Sequence, residues 1–253
     1  AATTSTGIRM QPLPVTGIYT VVIAPSNVGT GTARVTVWNE AVTPLTLGTA
    51  IPLTVRFPNE QLRLSFTGAI NDFLGLDLAG LTLASGGTAQ GATVQVLQPN
   101  GAVISLPSVT SATIPATTGT GVRMQPLTVA GTYTVVITPS NAATGTLNLT
   151  LWRDVPDPLT IGTPYALSIP FRNQAARLTF TGAVGDVLAV QLTNVTLPSG
   201  GTVQVLQPNG AAISLPSSTS ATFTTAGATI NTQPLPAQGT YTLVITPSAS
   251  ATG

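Results

Sequence analysis

The stretch Pro-Leu-Thr-Val-Ala-Gly-Thr-Tyr-Thr-Val-Val-Ile at 126–137 occurs three times in this chain, with related copies at 12–23 and 234–245. The offsets between copies are 114 and 108 residues, and both ends of the chain fall inside a repeat. A tandem array is therefore the reading that constrains everything else. Near-identical modules in series build spacers, fibres or multivalent surfaces more readily than one active site. Modules of roughly 110 residues are long enough to bury a core without covalent staples. Here they must, because the chain has no Cys.

The repeats pair closely. Arg-Leu-Ser-Phe-Thr-Gly-Ala at 63–69 matches Arg-Leu-Thr-Phe-Thr-Gly-Ala at 177–183, and 93–102 recurs unchanged at 202–211. The shorter offset of the later block marks an insertion around 88–91, which predicts an exposed loop. Apolar residues alternate with period 2, as in Leu62, Leu64 and Phe66, in Tyr133, Val135 and Ile137, and in Leu147, Leu149 and Leu151. That is the pattern of strands with one buried and one wet face, and no window supports an amphipathic helix. Gln-Pro-Asn-Gly at 98–101 and 207–210 reads as a tight turn, since Pro presets φ at the first central position and Asn and Gly tolerate the turn backbone after it.

Eight or nine short strands per repeat predict an all-β chain of tandem antiparallel β-sandwiches, jelly-roll or immunoglobulin-like. The Pro-containing segments 39–44 and 153–158 read as stiff linkers. They divide the chain into the C-terminal part of one repeat (1–42), a complete repeat (43–155), and a repeat lacking its last strand (156–253). The missing strand corresponds to 32–38 and 146–152.

Composition removes most chemistry. His and Lys are absent as well as Cys, and all eight basic residues are Arg. Charged residues are 6% of the chain, against about 25% in an ordinary soluble domain. A net charge of +1 gives no electrostatic case for nucleic acid or an anionic membrane. About one residue in six is Thr, so a hydroxyl surface replaces the usual charged one. Mean hydropathy is +0.40, yet no apolar run reaches the length of a transmembrane helix. Aromatic girdles are missing, which argues against an outer-membrane barrel. Ala1 reads as the start of a mature or fragmentary chain.

The module resembles the bacterial pre-peptidase C-terminal type of β-sandwich, found in tandem in large secreted surface proteins. The resemblance rests on the strand and turn at 177–183, the Val-Gln-Val-Leu-Gln-Pro-Asn-Gly hairpin at 203–210, and Gly-Thr-Tyr-Thr at 239–242. It implies an extracellular or cell-surface, non-catalytic module. The chain departs from that family at Gln95 and Gln204, where Asp is frequent, and carries no peptidase domain.

Catalysis needs a nucleophile–base pair, a carboxylate pair or a metal. Glu40, Glu60, Asp72, Asp77, Asp154, Asp157 and Asp186 are the only acids. Asp154 and Asp157 flank Pro156 in a linker. A calcium site there is weighed against a solvated turn, and no Asp-rich loop with calcium-ligand spacing occurs. Asp72 and Asp186 read as turn caps, and a lone carboxylate cannot hydrolyse a glycoside. The expectation is no enzyme, no metal and no cofactor.

The candidate interface residues are Trp38, Trp152, Arg63 and Arg177. Parity puts Trp152 on the Thr-bearing face opposite Leu147, Leu149 and Leu151, where it could stack on a sugar or a protein partner or pack at the end of the core. Arg63 and Arg177 alternate onto the polar face. Tyr19, Tyr133 and Tyr241 share the parity of core residues. The functional expectation is a structural array that builds an extracellular filament, stalk or surface layer by self-association, with strand complementation at the incomplete repeat as one route. The alternative is a carbohydrate-binding or adhesive array, with surface glycans as partners.

Overall fold

The computed structural model describes residues 6–25, 29–107, 109–215 and 218–253. Among them no α-helix occurs, and 6–41 contain no strand. The first run of strands is β1 (Val42–Pro44), β2 (Ala50–Val55), β3 (Leu62–Gly68), β4 (Leu74–Ala79), β5 (Ala84–Ser85), β6 (Thr88–Ala89), β7 (Ala92–Leu97), β8 (Ala112–Ile114), β9 (Thr120–Arg123), β10 (Gly131–Pro139) and β11 (Gly145–Arg153). The second run is β12 (Ala176–Gly182), β13 (Ala189–Leu192), β14 (Gly201–Leu206), β15 (Ala221–Phe223), β16 (Ala228–Asn231) and β17 (Gly239–Pro247). The chain is all-β, with several antiparallel sheets.

The first run forms one sheet in the order β1-β3-β10-β7-β8 and another in the order β2-β11-β4-β9. Their inward residues share a single core. Leu64, Val94 and Val135 come from the first sheet, and Leu53, Leu76 and Leu149 from the second. The second run forms β12-β17-β14-β15, in the same order as β3-β10-β7-β8, and a two-stranded β13-β16. It has its own core, built on Leu178, Val203, Val205, Tyr241 and Ile245. No described residue pairs with β13 on the side where β11 pairs with β4. Segment 164–169 makes no ladder, although Ile169 and Gly253 exchange backbone hydrogen bonds of 2.6 and 3.0 Å, as Val55 and Gly145 face each other in the first run.

Several sequence readings have direct structural causes. Alternation in β3 puts Leu64 and Phe66 inward, with Phe66 opposite Tyr133 and stacked on it at 5.3 Å. Phe180 and Tyr241 repeat that pair at 5.5 Å. Tyr133 donates its hydroxyl to the Val129 carbonyl and Tyr241 to that of Ala237, both at 2.7 Å. Tyr19 makes the same bond to Val15, also at 2.7 Å, but its ring is exposed rather than in a core as its parity predicts, because 6–41 contain no strand to bury it. A buried ring with its hydroxyl tied to the chain upstream is the tyrosine-corner arrangement of β proteins.

At the Pro-Asn-Gly turns, Asn100 and Asn209 each accept from the backbone N–H two residues on at 3.0 Å. Gly101 and Gly210 both sit at φ 84°, where a side chain would be strained. Asp72 and Asp186 accept from Ala69 and Ala183 N–H at 2.8 Å, as turn caps do. The insertion around 88–91 is part of the small β5–β6 hairpin, with Thr88 and Ala89 exposed. The two linkers are not free spacers. Residues 42–44 run parallel to β3, and Val155 and Pro158 bridge in parallel to β12.

Candidate functional site

The charged side chains collect at two places, where 39–63 meets the segment around 7–9 and where 153–177 meets the segment around 121–123. An Asn-to-Gly-carbonyl bond and an Arg–acid pair recur at both places at an offset of 114. Asn59 donates its side-chain amide to the Gly7 carbonyl, and Asn173 donates to that of Gly121, both at 2.6 Å. Both Asn residues have left-handed backbone, at φ 65° and 62°, which Asn tolerates better than most side chains. Both glycines are needed for the approach. A Cβ on Gly7 would lie 1.7 Å from the Pro58 oxygen, and one on Gly121 would lie 2.2 Å from the Arg172 oxygen.

The acids match as well. Arg9 holds Glu40 with two bonds of 2.9 Å, and the Gln61 N–H adds one of 3.2 Å. Arg123 pairs with Asp154, which also accepts from the Ala175 N–H at 3.0 Å. Arg172 adds a bond of 2.9 Å to Asp77 across the second junction. Arg123 donates a further 3.1 Å bond to the Asn173 carbonyl. Of the two linker acids, Asp154 is taken by Arg123 and the Ala175 N–H, and Asp157 by the Tyr165 hydroxyl. That bond is the main reason the Tyr165 hydroxyl is pushed up to about 12. Among the described residues no three His, Cys, Asp or Glu side chains come together.

The two equivalent acids differ electrostatically. Burial pushes the Asp154 carboxyl above its ordinary value, and Arg123 and the Ala175 N–H do not fully offset it. Burial also acts on Glu40, but the hydrogen bonds from Arg9 and Gln61 outweigh it and hold the carboxyl below its ordinary value. Burial lowers the Arg177 guanidinium.

Of the sequence-predicted interface residues, Arg63 and Arg177 sit at the junctions. Arg63 donates to Glu40 at 3.4 Å. Arg177 instead rests its guanidinium on the Phe73 ring at 3.7 Å. The tryptophans give no exposed aromatic platform. Trp152 does take the face opposite the core leucines, but it is only 1% exposed. It pairs with Gly75, and its indole lies across the space a side chain there would fill. Strand parity cannot foresee that a glycine on the next strand makes a seat on the outer face. Trp38 is half-buried and stacks on Phe57 at 4.9 Å. Asn59, Asn173, Gly7 and Gly121 were not singled out from sequence. Their signal was their shared offset of 114, set among rare charged residues with the same offset.

The third copy departs at these positions. At the offset of 108, Thr229 stands where Gly121 does and Asn231 where Arg123 does.

No family model matches the chain, and no curated protein does. Solved structures do match. One is a crystal structure described as a "putative secreted protein" from Parabacteroides distasonis ATCC 8503, at 8% identity over 81% of this chain and 82% of that one, with a TM-score of 0.24. No helix among the described residues is long and apolar enough to cross a membrane.

Proposed function

We propose that this chain is a non-catalytic structural array, in which tandem β-sandwich modules of the pre-peptidase C-terminal type are locked in series as part of an extracellular filament, stalk or surface layer. The observation that carries the reading is the recurrence of one junction. The same Asn-to-Gly-carbonyl bond and the same acid–Arg pair occur at two places 114 residues apart. A binding or catalytic module needs no duplicated joint. A spacer does, because its reach depends on each joint holding one angle. The linkers support this, since they are hydrogen-bonded to the following sheet rather than free. Self-association is the further step from array to filament, and a surface with few charges offers little repulsion against it.

The experiment is small-angle scattering of the full chain beside Asn173→Ala and Arg123→Gln, with sedimentation at rising concentration. The parent is expected to scatter as one elongated particle of fixed maximum dimension. The variants should broaden the distance distribution while keeping both cores. A parent whose two blocks sample many relative orientations would sink the stiff-spacer reading.

A further inference from the structure

Arg177 is a half-buried guanidinium without an acceptor. Arg9, Arg56, Arg63, Arg123, Arg153 and Arg172 each pair with a carboxylate. Of the other two arginines, Arg34 is exposed and Arg177 is not. The Arg177 guanidinium makes no hydrogen bond or ion pair with any described residue, and it rests on the Phe73 ring, at 3.7 Å. A guanidinium carries five donors in a fixed fork, and leaving them unmet away from water is unfavourable.

The cause is a change of one methylene. At the first junction Glu40 is long enough to take both Arg9 and Arg63, at 2.9 and 3.4 Å. At the second junction Asp154 stands in its place and is paired with Arg123 alone. The counterpart of Arg63 is therefore released.

It is released into a cleft. Arg177, Arg123 and Asn173 line a hollow of about 610 Å³ between the two blocks, with Gln204 and Thr246 beside them and Val244 as apolar wall. Clefts of this size at the meeting of two folded units are ordinary ligand sites. Two guanidiniums against one carboxylate leave it positive in a chain with almost no other charge. The hydroxyl and amide lining suits a polyhydroxylated ligand, and Val244 suits the C–H face of a sugar ring.

We propose that this cleft binds an acidic saccharide, with a uronic-acid carboxylate on the free fork of Arg177. The site goes beyond the spacer reading, and it restores a glycan partner by charge rather than by an aromatic platform.

The test is calorimetric or NMR titration of the full chain with digalacturonate, beside the neutral digalactose, free acetate and a short peptide with a free C-terminal carboxylate. Digalacturonate should bind, and the neutral disaccharide should bind at least about tenfold more weakly, since a charge-assisted bidentate pair is lost. Arg177→Gln should weaken binding by a similar factor, whereas Arg34→Gln should change nothing. Asp154→Glu provides a second route that keeps every arginine. It restores the longer acid of the first junction, and it should close the site by satisfying Arg177 internally. Equal binding of the acidic and neutral sugars, full binding by Arg177→Gln or Asp154→Glu, or preference for the peptide or acetate would each overturn the proposal. None of those outcomes bears on the scattering experiment that tests the spacer reading.

Discussion

The ion pair at the second junction should respond asymmetrically to loss of its two members. The Asp154 side chain is 2% exposed, and that of Arg123 is 24% exposed. Arg123→Gln strands a carboxylate that water cannot reach, and breaking a buried pair in this way costs about 3–5 kcal/mol. The upper end is relieved because burial already raises the Asp154 carboxyl, so it can neutralise by taking a proton. A loss of about 3 kcal/mol is the expected magnitude. Asp154→Asn leaves a guanidinium with access to water and still bonded to the Asn173 carbonyl, and the side-chain oxygen can still accept from Ala175. That change should cost about 1–2 kcal/mol.

Calorimetry at neutral pH is the assay, read on the transition that the junction couples, because a chain with two cores need not unfold in one step. At about 2–4 °C per kcal/mol, the Arg123→Gln shift should exceed the Asp154→Asn shift by several degrees. Equal shifts, or a larger one for Asp154→Asn, would refute the claim that burial of the acid governs this junction.

The same geometry has other consequences. Asp154 has a carboxyl raised above its ordinary value of 3.8, so its contribution is full below that pH and is lost as pH rises through the folded value; stability profiles of the parent and Asp154→Asn should differ in that direction. Glu40, held below its ordinary value of 4.5, contributes above that pH and loses its contribution as pH falls through the folded value, so Glu40→Gln should flatten the acid limb. Tyr133→Phe should cost about 1 kcal/mol in urea melts, since it removes one 2.7 Å bond without changing the packing, and Tyr241→Phe at least as much, since its hydroxyl also accepts from the Ala237 N–H at 3.2 Å. Gly121→Thr with Arg123→Asn copies Thr229 and Asn231 into the second junction; scattering should show a loosened joint, because the new Cβ lies 2.2 Å from the Arg172 oxygen. In Trp38→Phe the remaining Trp152 emission should be blue-shifted and resist iodide, whereas Trp152→Phe should leave a quenchable signal from half-buried Trp38.

Strands and turns were legible because their causes are local. Period-2 alternation fixed which side of β3 and β10 faces inward, and Asn-Gly marked the hairpins by its backbone tolerance. The face of Trp152 was legible too, but its burial was not, because that depends on Gly75 across a strand pair. The junctions lay further out of reach. Asn59 and Gly7 stand 52 residues apart, and no rule of periodicity joins them. The β13 side differs in another way. Segment 164–169 stands 114 residues after β2 and shares its Pro, Ala, Leu and Ile, yet it makes no ladder where no described strand stands between it and β13. A strand's propensity is realised only when its neighbour is present.

The rarity of charge gives those junctions their discriminating power. In an ordinary domain an arginine finds many carboxylates, and one wrong pairing costs little. Here the surface is hydroxyl-rich, and six ion pairs take up most of the fifteen charged residues. A displaced strand block would bury an Arg or an acid against threonine, with no partner within reach, and would lose more than a salt bridge contributes in water. The same economy makes small changes audible. Glu40 satisfies two arginines and Asp154 one, so a single methylene separates a closed junction from one with a free cationic fork. Segments alike in sequence are therefore set apart at these two contacts, where the few charged residues decide what each one holds.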